Sequence, residues 1–241
     1  MLRKEGRIMG EWIEIEALDH EGRFAAWLAQ PEGEARAAII VIQEIFGVNQ
    51  GIRAKVDAWA TKGYLAIAPD MFWRFAPRYD VDPDVPEQVA EAMELRHQFD
   101  LDKAARDVET TIRHVRGLLP AGTKIGVVGY CAGGSVAYLA ATRTDVDASV
   151  GYYGRLIVDH LNEAHAIAHP LLLHFGLEDP SIPAEIRGRI RGALETHPRV
   201  SIHDYEGAGH GFAASSGKRR NEAAAQLADG RTEAFFGEHL G

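Results

Sequence analysis

The chain of 241 residues is long enough to bury a sizeable core and suits one domain rather than two. It is 46% hydrophobic and 25% charged, and it has no apolar run near the roughly 18 residues of a membrane helix, which argues against a membrane-embedded protein. A formal net charge of -9 argues against nucleic acid or an anionic membrane as the partner and favours a small-molecule substrate.

The first ten residues are predicted to be a loose extension of a single domain over residues 1–241, and they lack the apolar segment of a signal peptide. Alternating stretches on both sides of DHEG, at 11–17 and 23–30, predict an antiparallel hairpin at a sheet edge. Continuous apolar runs then predict strands covered on both faces, alternating with amphipathic helices. The runs span 37–43, 64–69, 124–130, 147–153, 170–175 and 200–205, and the helical segments lie near 51–62, 86–119, 132–143, 183–197 and 219–239.

This alternation predicts an α/β fold with a mostly parallel central sheet and helices on both faces. The proline-rich segment 72–86 has no clean period. We expect it to be an exposed loop near the carboxyl ends of the strands, where such sheets place their sites.

The segment GVVGYCAGGS, residues 126–135, follows a predicted strand and opens a predicted helix, the context of a GxSxG nucleophile elbow with cysteine in place of serine. Gly129 and Gly133 suit a sharp turn that strains the nucleophile backbone and exposes its side chain. The helix N-terminus favours a thiolate, so Cys131 is a candidate nucleophile. A small buried cysteine is the ordinary alternative. A dinucleotide-binding turn is a minor one, because the phosphate-loop lysine is absent and the GxGxxG register fits poorly.

A thiolate needs a proton carrier oriented by an acid, and in α/β-hydrolases the chain order is nucleophile, acid, histidine. Asp179 in GLEDPSIP and His210 in YEGAGHGFA each follow a predicted strand, in that order after Cys131. Cys131, Asp179 and His210 are therefore predicted to form a catalytic triad. Glu178 is a rival acid, and an aspartate before a proline is also typical of a turn. Three other histidines fit structural or solvated positions, namely His174, His197 and His203.

Taken together, these residues resemble the dienelactone hydrolase family, also called carboxymethylenebutenolidases. The resemblance runs over nearly the whole chain, in the segments VIQEIFGVN (41–49), YLAIAPDMFWR (64–74), VGYCAGG (128–134), VGYYG (150–154), GLEDPSIP (176–183) and YEGAGHGFA (205–213). It implies an α/β-hydrolase fold and a Cys, Asp, His triad. It also implies opening of a cyclic enol lactone bearing a carboxylate to maleylacetate, during degradation of (chloro)catechols.

The resemblance also implies roles around the triad. Glu44 is expected to hold the resting thiol and to move when substrate arrives, although without the resemblance it is equally able to be a salt-bridged surface residue. The backbone N–H groups of Ile45 and Ala132 are expected to form the oxyanion hole. Tyr152 and Tyr153 are candidates to line the substrate pocket, although aromatic residues at a strand end more often pack in the core.

One part of the family pattern is missing. Family members bind the substrate carboxylate with an arginine in the loop after PD, matched here by Arg74, and with a serine and an arginine just after the histidine. Gly211 and Ala214 stand at those last two positions, which also removes the usual charged partner of Glu44. An arginine–carboxylate contact is worth on the order of 1.5 to 3 kcal/mol, so this loss could change the substrate. Candidates to compensate are Arg78, and Arg219 and Arg220 at the predicted start of the last helix.

The sequence thus predicts a cytoplasmic, cofactor-independent hydrolase of lactones or activated esters, without a metal site and without a nucleic-acid or membrane partner. The single cysteine excludes an internal disulfide and suits a reducing cytosol. One alternative is a general carboxylesterase or lactonase of the same family with a different substrate. Another is a non-catalytic ligand-binding or sensor protein on this fold. A monomer is one candidate for the oligomeric state, which the sequence leaves open together with lid movement.

Overall fold

Residues 9–241 are described by a computed structural model, in which the chain divides into two units, one ending at Ile125 and the other spanning Gly126–Gly241. The predicted single domain stays a prediction. Residues 1–8 of the predicted N-terminal extension lie outside the described residues. The Gly10 N–H, at its other end, donates to Asp57 Oδ1 at 3.1 Å.

The first unit holds the predicted hairpin and the first helices. Its elements are β1 (Glu11–Glu16), β2 (Arg23–Ala29), β3 (Ala37–Ile42), α1 (Gln50–Thr61), β4 (Tyr64–Pro69), α2 (Pro86–Leu95) and α3 (Leu101–Leu118). The strands lie in the order β1-β2-β4-β3, with β1 at the edge as predicted. β2 pairs antiparallel with both β1 and β4, whereas β3 and β4 are parallel. Every residue of β3 and β4 is buried, as their continuous apolar sequences predict.

The segment 86–119, predicted as one helical stretch, is two helices separated by a 3-10 turn at Arg96–Gln98. The prediction was wrong because Asp100 starts a new helix. Its backbone is extended, and its Oδ1 accepts the N–H groups of Asp102 and Lys103 at 2.9 and 3.1 Å. An N-cap of this kind ends one helical period and begins another.

The segment 72–86 was predicted to be an exposed loop, but part of it is buried. Phe72 is 1% exposed and packs against Phe75 and Phe99, with ring centroids 4.8 and 5.5 Å away. The beginning of this loop is therefore part of the core of the first unit, and its later residues are the ones at the surface.

The second unit is a parallel α/β arrangement. Its elements are β5 (Ile125–Tyr130, beginning one residue before the unit), α4 (Ala132–Arg143), β6 (Ala148–Tyr152), β7 (Leu171–Gly176), α5 (Ala184–Leu194), β8 (Val200–Tyr205) and α6 (Glu222–Leu240), with 3-10 turns at Arg155–Asp159 and Leu161–Ala166. The strands lie in the order β5-β6-β7-β8 and all neighbours are parallel. Their carboxyl ends therefore meet at one edge, where the segments after β5, β7 and β8 converge.

The last helix begins later than predicted, at Glu222 rather than near residue 219. The reason is Asn221, whose Oδ1 accepts the Ala224 N–H at 3.2 Å and so marks the N-cap. Arg219 and Arg220 consequently lie in the loop before the helix. No helix within residues 9–241 combines the length and the apolar composition needed to cross a membrane.

Candidate active site

The turn between β5 and α4 holds Cys131 in a strained backbone conformation, with φ 55° and ψ -116°. Gly129 is needed beside it, since a Cβ there would overlap the carbonyl group of Gly133. The Cys131 N–H donates to the Tyr152 carbonyl at 3.1 Å, and the Cys131 carbonyl accepts the Gly134 N–H at 3.0 Å. These bonds fix the thiol at the start of α4, as the GYCAGG pattern predicts.

Asp179 and His210 reach the thiol from the loops after β7 and β8. His210 Nε2 lies 3.1 Å from Cys131 Sγ, and His210 Nδ1 lies 2.7 Å from Asp179 Oδ2. The second Asp179 oxygen accepts the Ser181 N–H at 2.8 Å, and the Asp179 side chain is 0% exposed. Glu178, the rival acid, is exposed. The three residues predicted as a triad are therefore joined in one chain from sulfur to imidazole to carboxylate.

The charged form of His210 is stabilised by its two neighbours in the triad. Burial disfavours the charged imidazole, but its contacts with Cys131 and with the Asp179 carboxylate outweigh burial and raise the pKa of His210 to about 11. The charged form of the His210 imidazole is thus favoured at neutral pH. Tyr153 is fully buried and packs on the imidazole, with ring centroids 5.1 Å apart, which restricts the orientation of the ring. The arrangement places the sulfur in hydrogen-bond contact with an imidazole that a carboxylate orients, which is the geometry that nucleophilic catalysis requires.

The residues expected to hold the oxyanion lie at a helix start and after a strand. The Ala132 N–H is the first of α4, where N–H groups have no intrahelical acceptor and the helix dipole favours negative charge. Glu44 and Ile45 follow β3 in the first unit and are 7% and 8% exposed. Gln43 fixes their backbone, because its Nε2 donates to the Glu44 carbonyl and its Oε1 accepts the Met71 N–H. The roles expected for these residues stay predictions.

Tyr152 lies in the core of the second unit. Its hydroxyl bonds Thr232 Oγ1 at 2.6 Å and donates to Asp229 Oδ1 at 3.1 Å. Thr232 also bonds His174 Nε2 at 3.0 Å, and the Tyr205 hydroxyl bonds His174 Nδ1 at 2.8 Å. Burial holds the pKa of His174 well below its ordinary value, so the imidazole at the centre of this network is neutral. Such contacts fit the packing alternative for Tyr152 and do not support the predicted contact with substrate.

Arg74 forms ion pairs with carboxylates of the first unit. It donates to Asp107 at 2.6 Å, to Asp19 at 2.7 Å and to Glu21 at 2.9 Å, and its guanidinium lies 4.1 Å from the Trp73 ring centroid. This geometry fits a structural ion-pair network and does not support the predicted binding of a substrate carboxylate. Sequence reasoning missed Asp107, although an acid on the buried face of α3 was an available signal.

The three arginines considered as compensation also have contacts of their own. Arg78 pairs with a glutamate of β1 at 3.2 Å, and Arg220 pairs with Glu222 at 2.6 Å and donates to the Ala214 carbonyl at 2.8 Å. Arg219 lies against Gly211, the residue after His210. Within residues 9–241, no group of three or more His, Cys, Asp or Glu side chains is placed to hold a metal ion.

The comparison with protein families agrees with this geometry. The model of the dienelactone hydrolase family matches residues 24–240, nearly the whole chain. The chain belongs to the dienelactone hydrolase family. Its relatives include a "Putative carboxymethylenebutenolidase" of Azospirillum brasilense, 39% identical over 230 residues that cover 95% of this chain and 99% of that protein. A carboxymethylenebutenolidase of Pseudomonas putida is 36% identical over 229 residues, covering 95% and 97%.

Solved structures of the dienelactone hydrolase family give the same result. The crystal structure of a "Putative Dienelactone Hydrolase" from Klebsiella pneumoniae matches this chain with a TM-score of 0.83 at 26% identity, covering 97% of this chain and 100% of that one. The α/β-hydrolase fold predicted from the sequence is therefore confirmed. As a member of the dienelactone hydrolase family, the protein is a family hydrolase.

Proposed function

We propose that the protein opens lactones or activated esters through a thioester on Cys131, and that its substrate is a cyclic enol lactone bearing a carboxylate. The observation that carries this proposal is the chain of contacts from Cys131 Sγ to His210 at 3.1 Å and from His210 to Asp179 at 2.7 Å. The substrate class is supported by the carboxymethylenebutenolidase names of the relatives. The proposal also includes a role in the degradation of (chloro)catechols, which the resemblance to the family implies.

In the first half of the reaction, the Cys131 thiolate attacks the lactone carbonyl carbon, and negative charge develops on the carbonyl oxygen. The Ala132 N–H stabilises that charge, with the Ile45 N–H as the second donor expected from the resemblance. The ring C–O bond then breaks, and the leaving enol oxygen takes the Nε2 proton of His210. Asp179 keeps Nδ1–H of the ring oriented throughout.

In the second half, neutral His210 removes a proton from water, and the resulting hydroxide attacks the thioester carbon. Collapse of this intermediate expels the Cys131 thiolate beside a protonated His210, which restores the starting pair and releases the carboxylic acid. A thiolate suits this substrate because the competing leaving group is a stabilised enolate. An amide, whose nitrogen leaves poorly, would instead expel the thiolate.

A second candidate is a general carboxylesterase or lactonase for a neutral or differently charged substrate. It is favoured by Gly211 and Ala214, which stand where the family places a serine and an arginine. The third alternative, a non-catalytic binding or sensor protein, gives no reason for one imidazole to contact both Cys131 Sγ and the Asp179 carboxylate.

The test is steady-state hydrolysis of cis- and trans-dienelactone beside an uncharged enol ester. Wild type, Cys131→Ala and His210→Ala are compared, with His97→Ala as the control because His97 is exposed on a 3-10 turn. We expect turnover of the dienelactones that Cys131→Ala and His210→Ala abolish and His97→Ala retains. Turnover of the uncharged ester alone would favour the general esterase. Absence of turnover of either substrate would contradict the proposal and favour the binding protein.

A further inference from the structure

Two strained residues at the candidate active site are held by the backbone carbonyls of two neighbours. Cys131, with φ 55°, donates its N–H to the Tyr152 carbonyl at 3.1 Å. Tyr153, with φ 40°, donates its N–H to the His174 carbonyl at 2.8 Å and packs its ring on the His210 imidazole. A backbone in such a conformation persists only where its surroundings fix it. Tyr152 and His174 are therefore part of what keeps the sulfur and the imidazole in contact.

The side chains of Tyr152 and His174 meet at one hydroxyl of α6. Thr232 is 1% exposed, and its Oγ1 lies 2.6 Å from the Tyr152 hydroxyl and 3.0 Å from His174 Nε2. Both of these partners are fully buried. The two residues whose carbonyls hold Cys131 and Tyr153 are thus joined to each other through a single threonine side chain on a different element.

The protons of this buried cluster follow one order. Asp229 Oδ1 accepts the Tyr152 hydroxyl at 3.1 Å, so the Tyr152 oxygen in turn accepts the Thr232 hydroxyl. Thr232 then accepts the Nε2 proton of neutral His174, and Nδ1 of the same ring accepts the Tyr205 hydroxyl at 2.8 Å. Thr232 therefore serves as donor and as acceptor at once, two roles that serine can keep and valine cannot.

Tyr152 also packs directly against the turn that carries the nucleophile. Its ring stacks on that of Tyr130, the residue before Cys131, with centroids 4.8 Å apart. A Cβ on Gly134 would lie 2.3 Å from the Tyr152 carbonyl oxygen, so this carbonyl fits closely against the first turn of α4. Close-packed interiors transmit small displacements, so a shift of Tyr152 would move the Cys131 turn.

We propose that Thr232 is a positioning residue that keeps Cys131 and His210 in the arrangement needed for reaction. Its hydroxyl acts through the side chains of Tyr152 and His174, whose carbonyls hold the nucleophile turn and the aromatic ring that covers the imidazole. The catalytic part of this inference rests on the proposed function, whereas the effect on the reactivity of the thiol does not. A polar cluster that served stability alone would affect folding without changing that reactivity.

The first test measures how fast iodoacetamide alkylates Cys131, the single cysteine of the chain, at about pH 6.5. Thr232→Val keeps the shape of the side chain without the hydroxyl, and Thr232→Ser keeps the hydroxyl. Thr111→Val is the matched control, because Thr111 is also fully buried and its Oγ1 donates to the Asp107 carbonyl in the first unit. We expect Thr232→Val to react about five- to tenfold more slowly than wild type, the effect of one hydrogen bond, and the other two variants to stay within about twofold of it.

The direction of the change separates positioning from local loss of structure. A turn that opened would expose the sulfur and raise the alkylation rate, whereas an imidazole displaced from Sγ assists the sulfur less and lowers it. The deficit of Thr232→Val should shrink at about pH 9.5, where unperturbed thiols ionise without help. An unchanged or raised rate at pH 6.5, or an equal fall in Thr111→Val, would overturn the inference. Urea unfolding of each variant sets assay conditions in which all are folded.

The second test asks whether the effect passes through Tyr152. Tyr152→Phe removes the hydroxyl that bonds Thr232 and leaves the ring in place. It should lower the alkylation rate as Thr232→Val does, and the double variant should react no more slowly than the slower of the two single variants, because both break the same contact. Additive losses would mean that the two residues act independently and would contradict the inference.

Turnover separates this inference from the proposed function. For a dienelactone, Thr232→Val should lower kcat about five- to tenfold and leave KM nearly unchanged, because the threonine holds the reacting groups rather than the substrate. A change confined to KM would contradict the positioning role. If wild type hydrolyses no lactone or ester while alkylation depends on Thr232, the proposed function fails and the positioning role stands. If hydrolysis is normal and neither kcat nor alkylation responds to Thr232→Val, the reverse holds.

Discussion

Replacing Arg74 with alanine should destabilise the protein rather than weaken substrate binding. Asp107 is 1% exposed, and its carboxylate accepts bonds from two Arg74 nitrogens and from Trp73 Nε1. Without Arg74, the buried Asp107 carboxylate keeps the neutral donor Trp73 Nε1 and loses the positive charge that balances it. Breaking a buried ion pair in this way costs about 3 to 5 kcal/mol, whereas the exposed contact with Glu21 adds little. Burial raises the pKa of Asp107, which lessens the cost of losing the counter-charge, so the lower figure is the better expectation.

The assay is urea unfolding followed by tryptophan fluorescence, with the free energy of unfolding compared at 25 °C. Arg74→Ala should lose about 3 kcal/mol, or roughly 6 to 12 °C in melting temperature. Arg74→Ala with Asp107→Asn should recover part of this loss, because the unpaired charge is gone. Arg78→Ala, which breaks an exposed pair, serves as the control and should change the free energy by less than about 1 kcal/mol. Unchanged stability in Arg74→Ala, together with a raised KM for carboxylate substrates, would show that Arg74 binds substrate after all.

Three further changes probe the site and its support. At about pH 6.5, iodoacetamide should alkylate Cys131 at least about tenfold more slowly in His210→Ala than in wild type, since the charged imidazole in contact with Sγ assists attack by the sulfur. Because the pKa of His210 is raised to about 11, its charge stabilises the fold fully below about pH 6.5, and that contribution is lost as the pH rises through 11. The alkaline fall in melting temperature should therefore be smaller in His210→Ala. Gly129→Ala should cost more than about 3 kcal/mol in urea unfolding because its Cβ meets backbone, whereas Gly188→Ala, on the open face of α5, should gain up to about 1 kcal/mol. Thr232→Val should cost roughly 1 to 3 kcal/mol in the same assay, since it leaves a buried histidine and a buried tyrosine without their shared partner.

The local geometry of the site could be read from the sequence because its causes lie within a few residues. A cysteine between a strand and a helix, with glycine two positions before it, specifies the elbow through steric fit alone. Parallel strands bring their carboxyl ends to one edge, so residues that follow β7 and β8 were expected near Cys131. The choice of Asp179 over Glu178 followed from the resemblance to the family, and burial of the aspartate agrees with it.

Contacts between distant segments could not be read in this way. Arg74 and Asp107 are 33 residues apart, and nothing periodic in the sequence links a loop arginine to one acid of a later helix. The position of Arg219 depends on where α6 begins, which Asn221 decides through a single cap bond. Helix starts are set by such bonds rather than by the apolar period, so a shift of three residues moved Arg219 from a predicted helix into the loop beside His210.

The backbone of Cys131 would suit glycine better than the residue it carries. A side chain at φ 55° and ψ -116° costs about 1 to 3 kcal/mol, and the surrounding hydrogen bonds maintain it. Glycine at this position would therefore increase stability but remove the sulfur. Selection for heat resistance alone would favour that exchange. A strained cysteine at this position is therefore what the proposed role of its sulfur would require.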